Sequence, residues 1–318
     1  MKKNIKIIIL LFSFFSILEI KANQNSLYNF MRITGSARTS SLSGAVVALN
    51  NEASGLFFNP AVVYNQKQDD FSVTFLKHVL DINSGNLVYN FGESFEEGKL
   101  AASINYTNYG SFEYSDFNNR GGDFSGNDIS FGVTYSNMID SNFYYGITPK
   151  FIFLTLEQSS SVAFAIDGGL IYNLKDGRTS FGLSVLHAGT QITQLGNLSE
   201  SLPTDIRLGF NHRLKGLPIL FNFSFVRMAD KTGSFGDKLK NVAVGAEIYL
   251  GKYIDVRAGF DNQIRSTTTP TANRGISGFS AGFGIKLEGL NVDYGFGQYG
   301  PSASLHRFTI TSNLQKLL

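Results

Sequence analysis

The sequence predicts an all-β protein: a 14-stranded antiparallel transmembrane β-barrel with a short N-terminal hatch or plug segment. Three observations predict it. From Asp70 onward hydrophobicity alternates with period two in fourteen runs, most of them ten residues or longer. That exceeds the about 5–6 residues usual in soluble sheets and approaches the about 9–11 that a tilted membrane strand needs. One face of these runs is bulky and apolar, while the other mixes glycine with charges of both signs, as expected for lipid outside and a narrow wet lumen. Short connections also alternate with long ones along the chain, as in transmembrane barrels with short turns on one rim and long loops on the other.

Residues 1–22 read as a signal peptide. Lys2, Lys3 and Lys6 precede the mostly apolar stretch Ile7 to Leu18, and Ala22 offers a small residue for cleavage. The apolar stretch is too short for a stable membrane helix. Removing the leader takes Lys2, Lys3, Lys6, Lys21 and Glu19, which leaves 23 basic and 24 acidic residues of the original 27 and 25. The mature chain is then near neutral and carries no electrostatic footprint for nucleic acid. The absence of cysteine excludes a lipid anchor at the cleavage site, disulfides and thiolate metal sites.

Residues 23–66 form the hatch or plug segment, and 67–318 the barrel. The stretch Arg32 to Ala61 is rich in Gly, Ala and Ser and has no period-two pattern. It reads as short helical turns that pack inside something. Asn50 or Asn51 is placed to cap a short helix through Ala53–Phe57. Asn59-Pro60 closes the segment ahead of the first strand. Leu56, Phe57 and Phe58 supply the apolar weight that lodges it.

The strands are expected near residues 70–79, 83–91, 98–109, 126–136, 142–155, 160–173, 178–189, 203–213, 218–228, 240–250, 253–263, 276–287, 290–299 and 304–314. In 277–287 Phe279, Phe283 and Ile285 oppose Ser280, Gly282 and Gly284. An even strand number puts both barrel ends on the short-turn, periplasmic rim, from which the Arg32–Ala61 segment enters. Parity then fixes one pair. Residues 242–250 and 254–260 both put even positions on the apolar face, so a three-residue turn at 251–253 sets Glu247 opposite Arg257 in the lumen, beside Asp255. Asp205, Arg207 and Asp293 join these as lumen charges. Glycine pairs inside strands, such as Gly282 with Gly284, mark places where a narrow interior needs a missing side chain.

No catalytic constellation emerges. The four histidines lie on different strands without metal-ligand spacing, no nucleophile elbow exists, and the Asp-rich run 114–127 lacks the closing Glu of a calcium loop. The chain is therefore expected to be no enzyme and to use no cofactor or metal.

The run GSARTSSLSGAVVALNNEASGLFFNPA, Gly35 to Ala61, resembles the start of FadL-like outer-membrane barrels, in particular the PorV/PorQ family. The residues that carry the hatch motif are Ser36, Ala37, Arg38, Gly44, Phe58, Asn59 and Pro60. Tyr106–Phe112, Phe124–Phe131, Leu202–Gly209, Gly275–Phe283 and Arg307–Leu314 add to the likeness on the PorQ side of that family. Ser43-Gly44 stands where Gly-Gly is usual. The resemblance implies an outer-membrane component of the type IX secretion system of the Bacteroidetes lineage. Such a component holds PorZ-, PorU- or PorV-like partners in a surface attachment complex. The loops 110–125 and 229–239 are the expected docking face. The alternatives are a PorV-like cargo shuttle and a FadL-like transporter of small hydrophobic molecules such as fatty acids or aromatics. A transporter should pair an apolar internal pocket with a movable hatch, which the charged lumen positions and compact loops disfavour.

Overall fold

The structure is a computed structural model that describes residues 26–94, 97–115, 120–230, 234–267 and 275–316. The leader at 1–22 lies outside the described residues. Fourteen strands close into one antiparallel barrel: β1 Asp70–Lys77, β2 Asn83–Glu93, β3 Lys99–Ser115, β4 Arg120–Asp140, β5 Phe143–Leu156, β6 Ser159–Asn173, β7 Thr179–Thr193, β8 Asp205–Arg213, β9 Ile219–Phe225, β10 Val242–Leu250, β11 Ile254–Asp261, β12 Phe279–Leu287, β13 Leu290–Gly300 and β14 Ala303–Asn313. Each pairs with its sequence neighbours, and β1 pairs with β14 from Asp70↔Asn313 to Lys77↔His306. Closure leaves no free sheet edge, which is what allows a sheet to sit in lipid.

The alternation read from the sequence decides the two faces. Val73, Phe75, Phe151, Phe210, Phe283 and Phe308 are exposed on the outside. Their cross-strand neighbours add aromatic contacts, such as Phe210 stacked on Phe223 at 5.6 Å between ring centres. The inward residues between them are small or polar and buried: Ser72, Thr74, Ser224, Glu247, Asp255 and Arg257. No described helix is long and apolar enough to cross a membrane. The exposed apolar belt of the strands meets the requirement for a membrane-spanning barrel instead.

The wall is uneven. β4 has 21 residues and β9 has 7. At about 3.3 Å per residue this is about 70 Å of strand against about 23 Å. The tall side, β3 to β7, rises at the long-loop rim. Residues 110–125 are therefore mostly not the loop expected of them. β3 runs on to Ser115 and β4 begins at Arg120, paired through Ser111↔Ser125, Phe112↔Phe124 and Glu113↔Asp123. The Gly, Asn and Asp content suggested a loop, but Phe112 stacks on Phe124 with ring centres 5.2 Å apart, and such cross-strand aromatic pairs hold a ribbon together. The other expected docking loop, 229–239, contains a one-turn helix at Phe235–Lys238, and its residues 231–233 lie outside the described set.

Residues 26–66 fill the barrel. They form a 3₁₀ turn at Leu27–Ile33, a short helix at Ala37–Ser41, and 3₁₀ turns at Ala53–Phe57 and Pro60–Asn65. Leu42, Val46, Leu49, Leu56, Phe57, Phe58 and Val62 make a core of their own, joined to Val88, Ala101, Ile171 and Leu220 of the wall. The path corrects the expected entry from the short-turn rim alone. The segment starts high, with Ser26 Oγ donating to Ser201 O at 2.7 Å, and descends to Pro60–Asn65 beside β4, β5 and β6 before β1 begins. Two local expectations also fail. Neither Asn50 nor Asn51 caps Ala53–Phe57, whose preceding residue Glu52 makes no side-chain cap. Asn50 donates instead to Asn173 Oδ1, and Asn51 Oδ1 accepts from Arg38. Asn59-Pro60 does not lead straight into the first strand. Asn59 caps another 3₁₀ turn, with Pro60 at its first position, where a missing N–H costs nothing.

Candidate functional site

The lumen and the segment that fills it are the candidate site. Their fit depends on wall residues that lack side chains. A Cβ at Gly169 would lie 1.9 Å from Asn59 Oδ1, one at Gly146 would lie 2.4 Å from Pro60 C, and one at Gly182 would lie 2.3 Å from Val47 O. Gly282 and Gly295 admit Ser41 and Ala37 in the same way. Gly282 is among the strand glycines that the sequence marks as close approaches, whereas Gly146, Gly169 and Gly182 were not singled out.

The hatch-motif residues all contact the wall or brace the segment. Ser36 caps Ala37–Ser41 by accepting from Thr39 N. Ala37 N donates to Thr309 Oγ1 at 2.8 Å. Gly44 takes a positive φ of 71°, a left-handed turn that suits glycine, and abuts Phe58. Phe58 in turn lies under the Arg207 guanidinium, 5.1 Å from ring centre to Cζ. Asn59 Nδ2 donates to Val47 O at 2.8 Å and to Leu170 O at 3.0 Å, while its Oδ1 accepts from Ala61 N.

Arg38 makes the central lock. Its Nε and Nη2 donate to the two oxygens of Glu247 at 2.9 and 2.7 Å, and Nη1 donates to Asn51 O at 2.8 Å. Glu247 is fully buried and also accepts from Arg257 Nε at 2.6 Å and Tyr249 OH at 2.8 Å. Glu247 faces Arg257 in register, as parity requires. Arg257 then reaches Asp293, and Asp255 at 3.3 Å. Lys286 closes the chain on Asp255 at 2.7 Å. Five of the expected lumen and hatch charges, Arg38, Glu247, Asp255, Arg257 and Asp293, therefore form one network. It borders a polar cavity of about 330 Å³ at the short-turn rim.

Asp205 and Arg207 belong to a second cluster, higher in the barrel. Asp205 accepts from Arg207 Nε at 2.7 Å and from Arg227 N at 2.6 Å. Arg32 is held beside them by both oxygens of Asp230, at 2.7 and 3.2 Å. Arg227 pairs with Asp261 at 3.0 Å. Sequence reasoning did not single out Arg32, Asp230, Glu52 or Arg307. For Arg307 the signal was available, because the alternation in 303–313 places it on the inward face with Thr309.

One part of the inner surface is apolar. Ile152 and Leu154 of β5 and Ala163 and Ala165 of β6 point inward, joined by Leu202, and Tyr28, Phe30 and Met31 of the first 3₁₀ turn cover them. Tyr28 OH bonds Ser161 Oγ at 2.7 Å at the edge of this patch. Close by, β7 bulges: His187 takes φ 57°, its N–H donates to Asp167 Oδ1 at 2.8 Å, and Lys150 pairs with Asp167 from β5. Among the described residues no three His, Cys, Asp or Glu side chains are grouped to hold a metal.

Among solved structures, a Pseudomonas aeruginosa FadL homologue aligns over 88% of this chain and 98% of its own, with a TM-score of 0.53 and 13% identity. The fold is that of the FadL-like barrels. The Pseudomonas putida toluene transporter TodX aligns over 88% and 98% at TM-score 0.54 and 10% identity. The Ralstonia pickettii toluene transporter TbuX aligns over 87% and 96% at 0.52 and 12%. No protein-family model and no curated protein sequence matches the chain.

Proposed function

We propose that the chain is an outer-membrane conduit for small hydrophobic molecules, seen with its N-terminal segment seated in the lumen. The observation that supports this is the apolar patch of Ile152, Leu154, Ala163, Ala165 and Leu202, which the first 3₁₀ turn alone covers, inside a wall with many polar inward residues. Polar lumen residues are the norm in such barrels, so inward aliphatic groups on adjacent strands need an occupant. Here the occupant is the chain's own Phe30 and Met31. A small apolar molecule fits the same surface once the turn Leu27–Ile33 lifts. That turn is anchored by Arg32 on Asp230 and by Tyr28 on Ser161, apart from the Arg38–Glu247 lock that holds the rest of the segment. The FadL-like fold, shared with two toluene transporters, agrees with this reading.

The test is saturable binding of toluene to the purified barrel in detergent, compared with Ile152→Asp. Wild type should bind and Ile152→Asp should not, because a carboxylate in the patch raises the cost of filling it with an apolar ligand. Absence of toluene binding by wild type, or equal binding by both, would sink the proposal.

A second reading is favoured by the β3–β4 ribbon. It stands above the low β8–β12 wall and shows Phe112 at 39% exposure. In this reading the barrel is a sealed anchor whose ribbon docks protein partners, which is the role implied by the PorV/PorQ resemblance within type IX secretion. No comparison with known proteins supports that role. Membrane cross-linking followed by purification, with and without Phe112→Asp, separates the two. Capture of secretion partners that is lost in Phe112→Asp, by a barrel that binds no toluene, would favour the anchor.

A further inference from the structure

A second cavity, of about 50 Å³, lies between the upper face of the N-terminal segment and the wall from β8 to β14. Arg32, Arg207, Arg227 and Arg307 all line it, with Asp261 as the one lining carboxylate among the described residues. Asp230 and Asp205 neutralise Arg32 and Arg207, and Asp261 neutralises Arg227. Arg307 has no carboxylate partner among the described residues. It is 2% exposed, its Nη groups donate to Ser40 Oγ and to Ile33 O, and its Nε has no hydrogen-bond partner. A buried guanidinium without a counter-charge is costly, and an orphaned donor adds to that cost. The charge is felt nearby: burial, then Arg307, then Lys77 push the His78 imidazole in the β1–β2 loop down to about 4.

We propose that this cavity is a binding site for a small carboxylate, which supplies the counter-charge that Arg307 lacks. A planar two-oxygen anion matches the guanidinium fork. The net excess of one positive charge suits a monoanion rather than a phosphate. One water needs about 10–15 Å³ of such space, so the cavity has room for the few heavy atoms of a small carboxylate. Ser40, Thr39 and Thr34 line the cavity and offer hydroxyls to the same ligand. The site lies toward the long-loop rim, where Gln298, Tyr299 and Ile264 also border it, so an anion arrives from that side. The proposal goes beyond hydrophobic transport and does not depend on it.

The test is thermal melting of the purified full-length barrel in detergent at constant ionic strength, titrated with sodium acetate, acetamide or inorganic phosphate. Acetate should raise the melting temperature saturably, and acetamide should not. Arg307→Gln should weaken the acetate response at least tenfold. Ser40→Asp places a carboxylate on the atom that Arg307 Nη1 already contacts. It should melt above wild type and no longer respond to acetate, which keeps the test decisive if Arg307→Gln fails to fold. An acetate effect equal to that of acetamide, a Ser40→Asp protein that still responds like wild type, or tighter binding of phosphate would overturn the assignment.

Discussion

Replacing Glu247 by Ala removes the counter-ion that two arginines share. Arg38 loses both of its charge-assisted bonds to β10 and keeps only the longer pairing to Glu52 at 3.4 Å, and Arg257 keeps only Asp255 and Asp293. Breaking one partner out of a buried ion pair costs about 3–5 kcal/mol, because the other charge stays buried. The 330 Å³ polar cavity beside the network lets water reach the freed groups, which places the cost toward the lower end. Barrel closure does not depend on Glu247, since the β9–β10–β11 ladders are backbone bonds. The cost therefore falls on the seating of the N-terminal segment. About 3–4 kcal/mol shifts that equilibrium by a factor of about 10²–10³. In planar bilayers the Glu247→Ala barrel should show bursts of ion conductance that wild type lacks, and its N-terminal segment should become sensitive to protease. Replacing Arg38 and Glu247 together by Met should silence most of that conductance, since neither charge is then left alone. A silent, protease-resistant Glu247→Ala barrel would refute the idea that this lock holds the segment in place.

Gly146→Val and Gly169→Val each put a branched side chain where the segment's backbone and the Asn59 amide sit. Both variants should still migrate as folded, heat-modifiable barrels while releasing the segment, and the loss should be larger than for Gly216→Val, whose Cβ meets nothing within 4 Å. His78 bonds Ser84 Oγ, and burial, then the Arg307 charge, lower its imidazole to about 4 from the ordinary 6.5. The unfolded state thus binds more protons between those values, so the stability His78 contributes is complete above about pH 6.5 and is lost as pH falls through 4. Relative to the intrinsic exchange rate at each pH, protection of the β1–β2 loop should fall across that window in wild type and stay flat in His78→Gln.

Much of the barrel was legible because period-two alternation ties each residue to a face, and a turn of known length then ties strand to strand. Glu247 opposite Arg257 follows from those two facts alone. The path of residues 26–66 was not legible, because no periodicity links a 3₁₀ turn to the wall it touches. Arg38 finds Glu247 across 209 residues of sequence, and Arg32 finds Asp230 across 198. The ends of β3 and β4 were missed for another reason. Their Gly, Asn and Asp content matches turn chemistry, and the Phe112–Phe124 pairing that overrides it is a tertiary contact. The apolar patch under Met31 was equally hidden, since Ile152 and Leu154 alternate with Phe151 and Phe153, so apolar residues occupy both faces of β5.

The segment in the lumen also touches the seam where the barrel joins its two ends. Ala37 N donates to Thr309 Oγ1 of β14, and the same hydroxyl bonds Thr74 Oγ1 of β1. The last strand to be made and the first therefore meet over a residue that precedes both. A chain already paired from β1 through β14 would have to thread about forty residues upward past Pro60 to reach this arrangement. Seating residues 26–66 before β1 zips onto β14 would avoid that threading, an order that pulse-labelled hydrogen exchange during refolding tests.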